Sequence, residues 1–225
     1  MLTAVLFSGG LDSAVLLAEE AARGAVQPIY VSTGLAWEPS ERAIASALIE
    51  QTPFAGRVRP LVSLSVDMRD VYAATHWAVQ GTPPAYHTPD EDVYLPGRNI
   101  ILLGKAAVFC AAAAIDRLVL GTLEHNPFPD ATPEFRSAIA HALSLGLGHG
   151  LKIDAPFAAI GKAEVIRRGV MLGVPFALTL SCMKGAARHC GLCSKCRERH
   201  DAFLEAGVDD ATDYADSRFV GSARL

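Results

Sequence analysis

The sequence predicts an α/β protein built on a doubly wound, mostly parallel sheet, and two observations support this fold class. Short apolar segments alternate with helix-forming segments along most of the 225 residues, an order typical of parallel strands joined by helices. Hydrophobic residues make up 51% of the chain and charged residues 20%, which argues against disorder and for a sizeable core. We therefore expect one α/β domain with a small C-terminal appendage.

The elements follow in order from their residue patterns. Residues 2–7 are apolar apart from Thr3 and predict a short buried strand, and the Ala- and Leu-rich residues 11–23 predict the first helix. Thr132 is expected to cap a later helix, with Glu134 in its first turn. The remaining predicted elements are strands over 28–33, 61–66 and 117–120, and helices over 39–51, 99–114, 132–145 and 161–172.

A Pro-rich stretch over 79–97 interrupts this alternation and shows no hydrophobic period. So long a loop inside a compact domain is usually functional or disordered. Three other loops, 8–13, 33–34 and 122–130, follow predicted strands. Parallel strands end at one edge of the sheet, where ligands bind at the switch in strand order. We therefore expect these three loops to face one crevice.

The segment SGGLDS, residues 8–13, joins the first strand to the first helix. Gly9 and Gly10 permit a tight turn, and the helix then directs its unpaired N–H groups toward an anion such as phosphate. The alternative is an ordinary turn capped by Ser8 or Asp12. A Walker loop is excluded because no Gly-Lys-Ser/Thr follows, and a Rossmann fingerprint is excluded because the third glycine is missing. The segment resembles the SGGxDS loop of the PP-loop ATP pyrophosphatases.

Four cysteines near the C-terminus have the spacing C-x7-C-x2-C-x2-C, at Cys182, Cys190, Cys193 and Cys196. Two overlapping C-x2-C turns can bring three sulfurs to one centre, and Cys182 can complete the tetrahedron of a structural zinc site. An iron–sulfur cluster and a disulfide framework are the alternatives. Four protein ligands would leave the metal to hold a loop rather than do chemistry. Cys110, far upstream, is expected in the core.

Charge and hydropathy exclude several classes of protein. The formal net charge of −4 gives no reason to expect a nucleic-acid-binding surface across the whole protein. No apolar stretch reaches membrane-spanning length, and no basic segment precedes the first apolar run, as it would in a signal peptide. We therefore expect a cytoplasmic protein with no membrane association and no direct nucleic-acid partner.

Five segments spread along the chain complete the pattern: SGGLDS at 8–13, LPGRN at 95–99, FPDATPEF at 128–135, GKAEVIRRG at 161–169 and SC…HCGLCSKCRER at 181–199. Together they resemble the 7-cyano-7-deazaguanine synthase family, and the resemblance covers nearly the whole chain. It implies an adenine nucleotide alpha hydrolase-like fold, with a PP-loop ATP-binding domain over 1–180 and a zinc-binding segment over 181–225.

The resemblance implies an ATP-dependent ligase of queuosine biosynthesis. Such an enzyme activates the carboxylate of 7-carboxy-7-deazaguanine with ATP, lets ammonia displace AMP, and dehydrates the resulting amide to a nitrile. Catalysis is then mainly positioning and neutralisation of phosphate charge. The implied cofactors are ATP, Mg and Zn. The implied partners are a deazapurine carboxylate and ammonia, and a homodimer is compatible with the family.

The functional residues of the family carry over onto matching positions. Asp12, Ser13 and Lys162 would be catalytic, with Asp12 positioning magnesium and Lys162 neutralising phosphate charge. The alternatives are a solvated surface lysine for Lys162 and a loop-to-helix cap for Arg98. The residues implied to bind ATP are Ser8, Gly9, Gly10, Leu11, Asp12, Ser13, Arg98 and Asn99.

Two loops depart from the family pattern. A YGQRH-like segment is expected after the second strand, where this chain has STGLAWEP over 32–39. A Cys-Arg pair of the family pattern is replaced by Ala131-Thr132. The acceptor is predicted to bind between 33–38 and 124–130, where aromatic rings can stack on a planar base. The residues predicted to bind it are Trp37, Phe128, Asp130 and Glu134.

Three other functions remain open. A paralogue could adenylate a different carboxylate with the same machinery. A PP-loop tRNA-modifying enzyme would carry an iron–sulfur cluster or a persulfide and show a basic surface, of which the sequence offers only a local cluster around the cysteines. A non-catalytic, zinc-stabilised module would bind ATP without forming AMP.

Overall fold

Five short strands form the sheet of this protein, for which a computed structural model describes residues 2–219. The strands are β1 (Thr3–Leu6), β2 (Val26–Ser32), β3 (Val62–Ser65), β4 (Arg117–Val119) and β5 (Lys152–Asp154). They lie in the order β3-β2-β1-β4-β5, and every neighbouring pair is parallel. The predicted doubly wound, mostly parallel sheet is confirmed.

The strand order switches at β1, in the centre of the sheet. The chain adds β2 and β3 on one side and then crosses to β4 and β5 on the other. Thr3 therefore lies between Val26 of β2 and Arg117 of β4 in register. A crevice opens where neighbouring strands lead away in opposite directions. The SGGLDS loop follows β1 directly into it.

Helices cover both faces of the sheet. Val5 and Phe7 pack against the first, second, sixth and seventh helices, whereas Ala4 and Ile29 pack against the fourth and fifth. Successive residues of a strand point to opposite faces, so β1 separates the two cores. The helices are α1 (Leu11–Arg23), α2 (Glu38–Leu48), α3 (Trp77–Gln80), α4 (Arg98–Ala112), α5 (Pro133–Leu147), α6 (Lys162–Met171) and α7 (Ser194–Ala206).

Several predicted details are confirmed, and one strand was missed. Thr132 caps α5 by accepting a hydrogen bond from the N–H of Phe135 at 3.1 Å, and Cys110 is fully buried. β5 has no counterpart among the predicted strands, because Ile153 is its one apolar residue. Within residues 2–219, no helix is long and apolar enough to cross a lipid bilayer.

The Pro-rich stretch 79–97 is ordered and attached to α7. The N–H of Ser194 donates to the carbonyl of Pro84 at 3.1 Å. Arg197, one turn further along α7, forms an ion pair with Asp90 at 2.9 Å. These contacts hold the long loop against the cysteine-bearing segment and bring Asp90 to the crevice.

Candidate functional site

The SGGLDS loop is held in shape by its own hydroxyls and by α2. Ser8 Oγ accepts from the N–H of Gly10 at 3.2 Å, and Ser13 Oγ donates to the carbonyl of Gly10 at 3.0 Å. Gly9 has a φ of +76°, and a Cβ there would lie 3.0 Å from Cα of Ala45. Glycine alone suits this angle and this close approach. The loop is therefore preformed.

The start of α1 faces the crevice with unpaired N–H groups. Helix geometry leaves the N–H groups of the first turn, from Leu11 onward, without an acceptor inside the helix. The residue before it, Gly10, provides no side-chain cap for the helix, although Ser8 Oγ caps the preceding turn at the N–H of Gly10. Gly121, just after β4, lies opposite, where an added Cβ would be 3.6 Å from Asp12. This arrangement suits an anion.

Lys162 begins α6 and reaches the loop from the side. Its Nζ lies 3.2 Å from Oδ2 of Asp12 and also contacts Oε1 of Glu198 on α7. Lys195, also on α7, lies 2.6 Å from the other oxygen of Glu198. The side chain of Lys162 is only 19% exposed, so it is not a solvated surface lysine. Residues from three helices thus form one charged network.

The charges of this network depend on one another. Burial raises the pKa of the Asp12 carboxyl, although Lys162 acts in the opposite direction. Burial also opposes the charge of Lys162, but Asp12 and Glu198 outweigh it and raise the pKa of the ammonium. The two lysines likewise outweigh burial at Glu198 and lower its pKa.

One oxygen of Asp12 is available to a ligand. Its Oδ1 is buried and has no hydrogen-bond partner among residues 2–219. Buried polar atoms are nearly always satisfied, so such an atom points to a missing partner. A carboxylate oxygen beside an arrangement that suits an anion could hold Mg²⁺, which prefers oxygen ligands.

Two adjoining cavities open above the loop. One, of about 300 Å³, is lined partly by apolar residues of β1 and β2 such as Leu6 and Ile29. The other, of about 430 Å³, contains the charged groups of Lys162 and Glu198. The smaller cavity, here called the apolar slot, has apolar residues along one side and polar groups such as Glu41 and Arg98 along the other. Next to the larger one, the charged chamber, it suits a flat base joined to phosphates. A larger cavity of about 900 Å³ lies beside β5 and shares no lining residue with these two.

The start of α4 lies on the opposite wall of these cavities and is fastened by Asp130. The Asp130 carboxylate accepts from the backbone N–H of Asn99 at 3.1 Å and from its side-chain amide at 3.2 Å. Asp130 is buried and its side chain is directed to α4. Arg98 and Asn99 line the smaller cavity. Nε of Arg98 is buried without a hydrogen-bond partner within 2–219, so this guanidinium can still bind an anion.

The other residues predicted to bind the acceptor lie in different surroundings. Phe128 lines both cavities and stacks on Tyr94, with ring centroids 5.1 Å apart. Trp37 is 2% exposed and stacks on Trp77 at 5.7 Å, behind the cavity wall. Glu134 is exposed in the first turn of α5. Of the predicted acceptor residues, the described structure brings only Phe128 to the cavities.

The loop after β2 is closed on itself by Glu38. This carboxylate accepts from the N–H groups of Thr33 at 2.9 Å, Gly34 at 2.9 Å and Leu35 at 3.2 Å, and from the hydroxyl of Ser32 at 2.7 Å. Glu38 is only 3% exposed. Glu38 therefore occupies the backbone N–H groups that this loop would otherwise present to a bound substrate.

The sequence-based prediction does not include several polar residues of the cavities, among them Tyr30, Glu41, Lys195 and Glu198. The hydroxyl of Tyr30 donates to Oε2 of Glu41 at 3.0 Å. Burial raises the pKa of Glu41 to about 7, although a positive charge from Arg98 acts against it. The sequence features that could have indicated these residues are spacings within helices. Glu41 lies one turn before the residue of α2 that packs on Gly9, and Lys195 and Glu198 are three residues apart.

The four cysteines form one buried cluster. All four Sγ atoms lie within 4.8 Å of one another, with Cys196 3.5 Å from Cys193 and 3.9 Å from Cys190. Tetrahedral bonds of about 2.3 Å place the sulfurs of a zinc site about 3.8 Å apart. The N–H of Leu192 points to Sγ of Cys190 at 3.4 Å, as suits a thiolate. The cluster could hold a metal ion.

The cysteine cluster also fixes groups of the cavity. Cys193 precedes α7 and Cys196 lies in its first turn, and the same helix carries Lys195 and Glu198. His189 lies outside the cluster, because its Nε2 accepts a hydrogen bond from the backbone of Ser181 at 3.0 Å. A metal bound here would hold α7 in place without an open coordination position.

Among solved structures, a predicted subunit of tRNA methyltransferase from Methanocaldococcus jannaschii has a related shape. It shares 15% sequence identity, with a TM-score of 0.47, over 74% of this chain and 73% of that one. A likeness this weak says nothing of function.

Similarity to curated proteins covers almost the whole chain. A 7-cyano-7-deazaguanine synthase from Xanthomonas campestris pv. campestris is 34% identical over 94% of this chain and 96% of that protein. Those of Thermoplasma volcanium and Caldicellulosiruptor bescii are 33% and 29% identical, over 94% and 95% of this chain and 90% and 97% of their own lengths. The family model described as "Queuosine biosynthesis protein QueC" matches residues 3–207. The chain therefore belongs to the QueC family.

Proposed function

We propose that this chain converts 7-carboxy-7-deazaguanine and ammonia to 7-cyano-7-deazaguanine with ATP, through an adenylated carboxylate and an amide. The observation that carries the proposal is the charged network in which Lys162 joins Asp12 of the SGGLDS loop to Glu198 of α7. The names of the curated relatives support the choice of substrate.

ATP would lie across the two cavities. The apolar slot beside Ile29 would take the base, and the phosphates would point to the start of α1, where the N–H groups, that of Ser13 included, and the hydroxyl of Ser8 are donors. The ammonium of Lys162 would then neutralise part of the phosphate charge. Magnesium held by Oδ1 of Asp12 would supply further neutralisation of phosphate charge.

The acceptor would lie in the charged chamber, against the face of Phe128. Its carboxylate needs to approach the α-phosphate, and Arg98 is the cation on that wall whose Nε still lacks a partner within 2–219. Holding the acceptor carboxylate next to the α-phosphate would account for much of the rate of the adenylation step. Release of AMP then follows attack by ammonia on the activated carbon.

The four cysteines would hold one zinc ion, and their role would be structural. Such a site stabilises the fold when the metal binds. Zinc would thereby keep Lys195 and Glu198 at the cavity, since both lie on the helix that starts at the cysteines.

The test is AMP formation with 7-carboxy-7-deazaguanine, ammonium, ATP and magnesium, with other planar carboxylates in parallel. We expect AMP and the nitrile from the first acid, and a loss on the order of 10²-fold or more in Lys162→Ala. Lys152→Ala is the matched control, because Lys152 is 73% exposed on β5. AMP formed only with another acid would indicate a paralogue, and ATP bound without AMP would indicate a non-catalytic module.

A further inference from the structure

Glu41 lies at the junction of the two cavities. It precedes Ala45 by one helical turn, so both project from the same face of α2. That face is the one that packs on the SGGLDS loop, where Ala45 meets Gly9. The Glu41 side chain lines the apolar slot as well as the charged chamber. Its carboxyl is therefore close to where base, phosphates and acceptor would meet.

The surroundings of Glu41 leave its carboxyl reactive near neutral pH. The groups that face it are Tyr30 from β2, Glu38 from its own helix and Arg98 from α4. Its hydrogen-bond donor is a phenol, at 3.0 Å, rather than a cation. Burial raises the pKa of Glu41 to about 7, while Arg98 and Tyr30 act in the opposite direction. A base with such a pKa is well matched to proton transfer at neutral pH.

The other carboxyl groups of the charged chamber are engaged with cations or lie at its rim. Asp12 and Glu198 both contact Lys162. Asp90 is paired with Arg197 at 2.9 Å. Glu124 is exposed at the outer edge of the chamber.

The amide-forming step of the proposed function requires a proton acceptor. The nitrogen lone pair of ammonia forms the new bond to the activated carbon, and the bond from that carbon to the AMP oxygen breaks with its electron pair. The nitrogen then carries one proton more than the neutral amide. We propose that Glu41 is the general base that takes this proton, an inference that rests on the proposed function.

The test separates activation from amide formation in the full-length protein. Glu41→Gln keeps the size of the side chain and an oxygen for Tyr30, but it cannot accept a proton. We expect ATP–pyrophosphate exchange that depends on 7-carboxy-7-deazaguanine to stay within about twofold of the wild type, and amide formation to fall on the order of 10²-fold or more. Glu50→Gln, an exposed acid just after α2, is the matched control and should change neither.

The pH profile provides the second readout. In the wild type, the rate of amide formation per unprotonated ammonia should rise with pH and level off above about 7. The rise of the rate with pH should be absent in Glu41→Gln. In Tyr30→Phe it should move to higher pH, because the phenol hydrogen bond lowers the pKa of Glu41.

Three results would overturn the inference alone, and a fourth would overturn it together with the proposed function. Unchanged amide formation in Glu41→Gln removes the role of base, and an equal loss of exchange assigns Glu41 to binding or folding. A higher KM for the deazapurine at unchanged kcat assigns it to recognition of the acceptor. A wild type that makes no amide from any deazapurine carboxylate would instead contradict the proposed function, and the inference would fall with it.

Discussion

A single ammonium group, that of Lys162, holds two acids together above the SGGLDS loop. Asp12 and Glu198 are 27% and 24% exposed, so water screens their repulsion only in part. When one partner of such a network is removed, the remaining charges are left desolvated without compensation. The residue proposed to neutralise phosphate charge is therefore also a residue that stabilises the fold.

We expect Lys162→Met to lower the free energy of unfolding by about 2 kcal/mol, measured by urea denaturation. Adding Asp12→Asn to this variant should recover part of the loss, because Asp12 is the acid left without a cation, whereas Glu198 keeps Lys195 at 2.6 Å. AMP formation should stay low in both variants. If Lys162→Met were as stable as the wild type, the network would not bear on folding.

Glu41 should make stability depend on pH. The folded protein raises the pKa of this carboxyl from 4.5 to about 7, so the folded state binds its proton more tightly than the unfolded state. Its stabilising effect is then present below about pH 4.5 and is lost as the pH rises through about 7. Glu41→Gln should match the wild type at pH 5 and be more stable at pH 8, by on the order of 1–3 kcal/mol. Equal stability at both pH values would contradict the raised pKa.

At the scale of elements, α7 links the cysteine cluster to the cavity. Cys196 and Glu198 lie two residues apart in its first turns. Anything that loosens the cluster should therefore displace the acid that contacts Lys162. The Pro-rich stretch 79–97 contacts the same helix through the ion pair of Asp90 with Arg197, so Asp90, which lines the charged chamber, should loosen with it.

We expect about one zinc per chain by elemental analysis of freshly purified protein. Cys196→Ser should lose the metal and melt at a lower temperature, because metal binding is coupled to folding. Cys110→Ala is the control and should keep its zinc, since Cys110 lies in the core of α4. Iron in place of zinc, or a metal-free protein of full stability, would contradict this assignment.

The elements that could be predicted are those whose own residues specify them. Residues 11–23 were predicted as a helix and form α1 with the same bounds, because their pattern is local. β5 was missed because a three-residue strand at the sheet edge carries almost no pattern. Trp37 was predicted to face the acceptor but packs on Trp77, a contact that depends on how distant segments meet. The sequence does not predict Glu41 at the cavities, because its place there also depends on how distant segments meet.

At the scale of the whole molecule, the cavities are assembled from segments far apart in the chain. Loops after β1 and β4 form the floor, and α2, α4, α6 and α7 contribute the walls. The parallel order of the sheet brings these segments to one edge. Asp12 of the SGGLDS loop and Lys162 meet in one charged network, whereas the loop after β2 is closed on itself by Glu38. The acceptor is therefore the part of the proposal that most needs a direct test.

That test is mass spectrometry of the products formed from 7-carboxy-7-deazaguanine, ATP, magnesium and isotopically labelled ammonium. We predict a nitrile that carries the label, formed together with AMP and pyrophosphate, and a loss of all three products on the order of 10²-fold or more in Lys162→Ala. ADP in place of AMP, or AMP released while the carboxylate stays unlabelled and unchanged, would contradict the account.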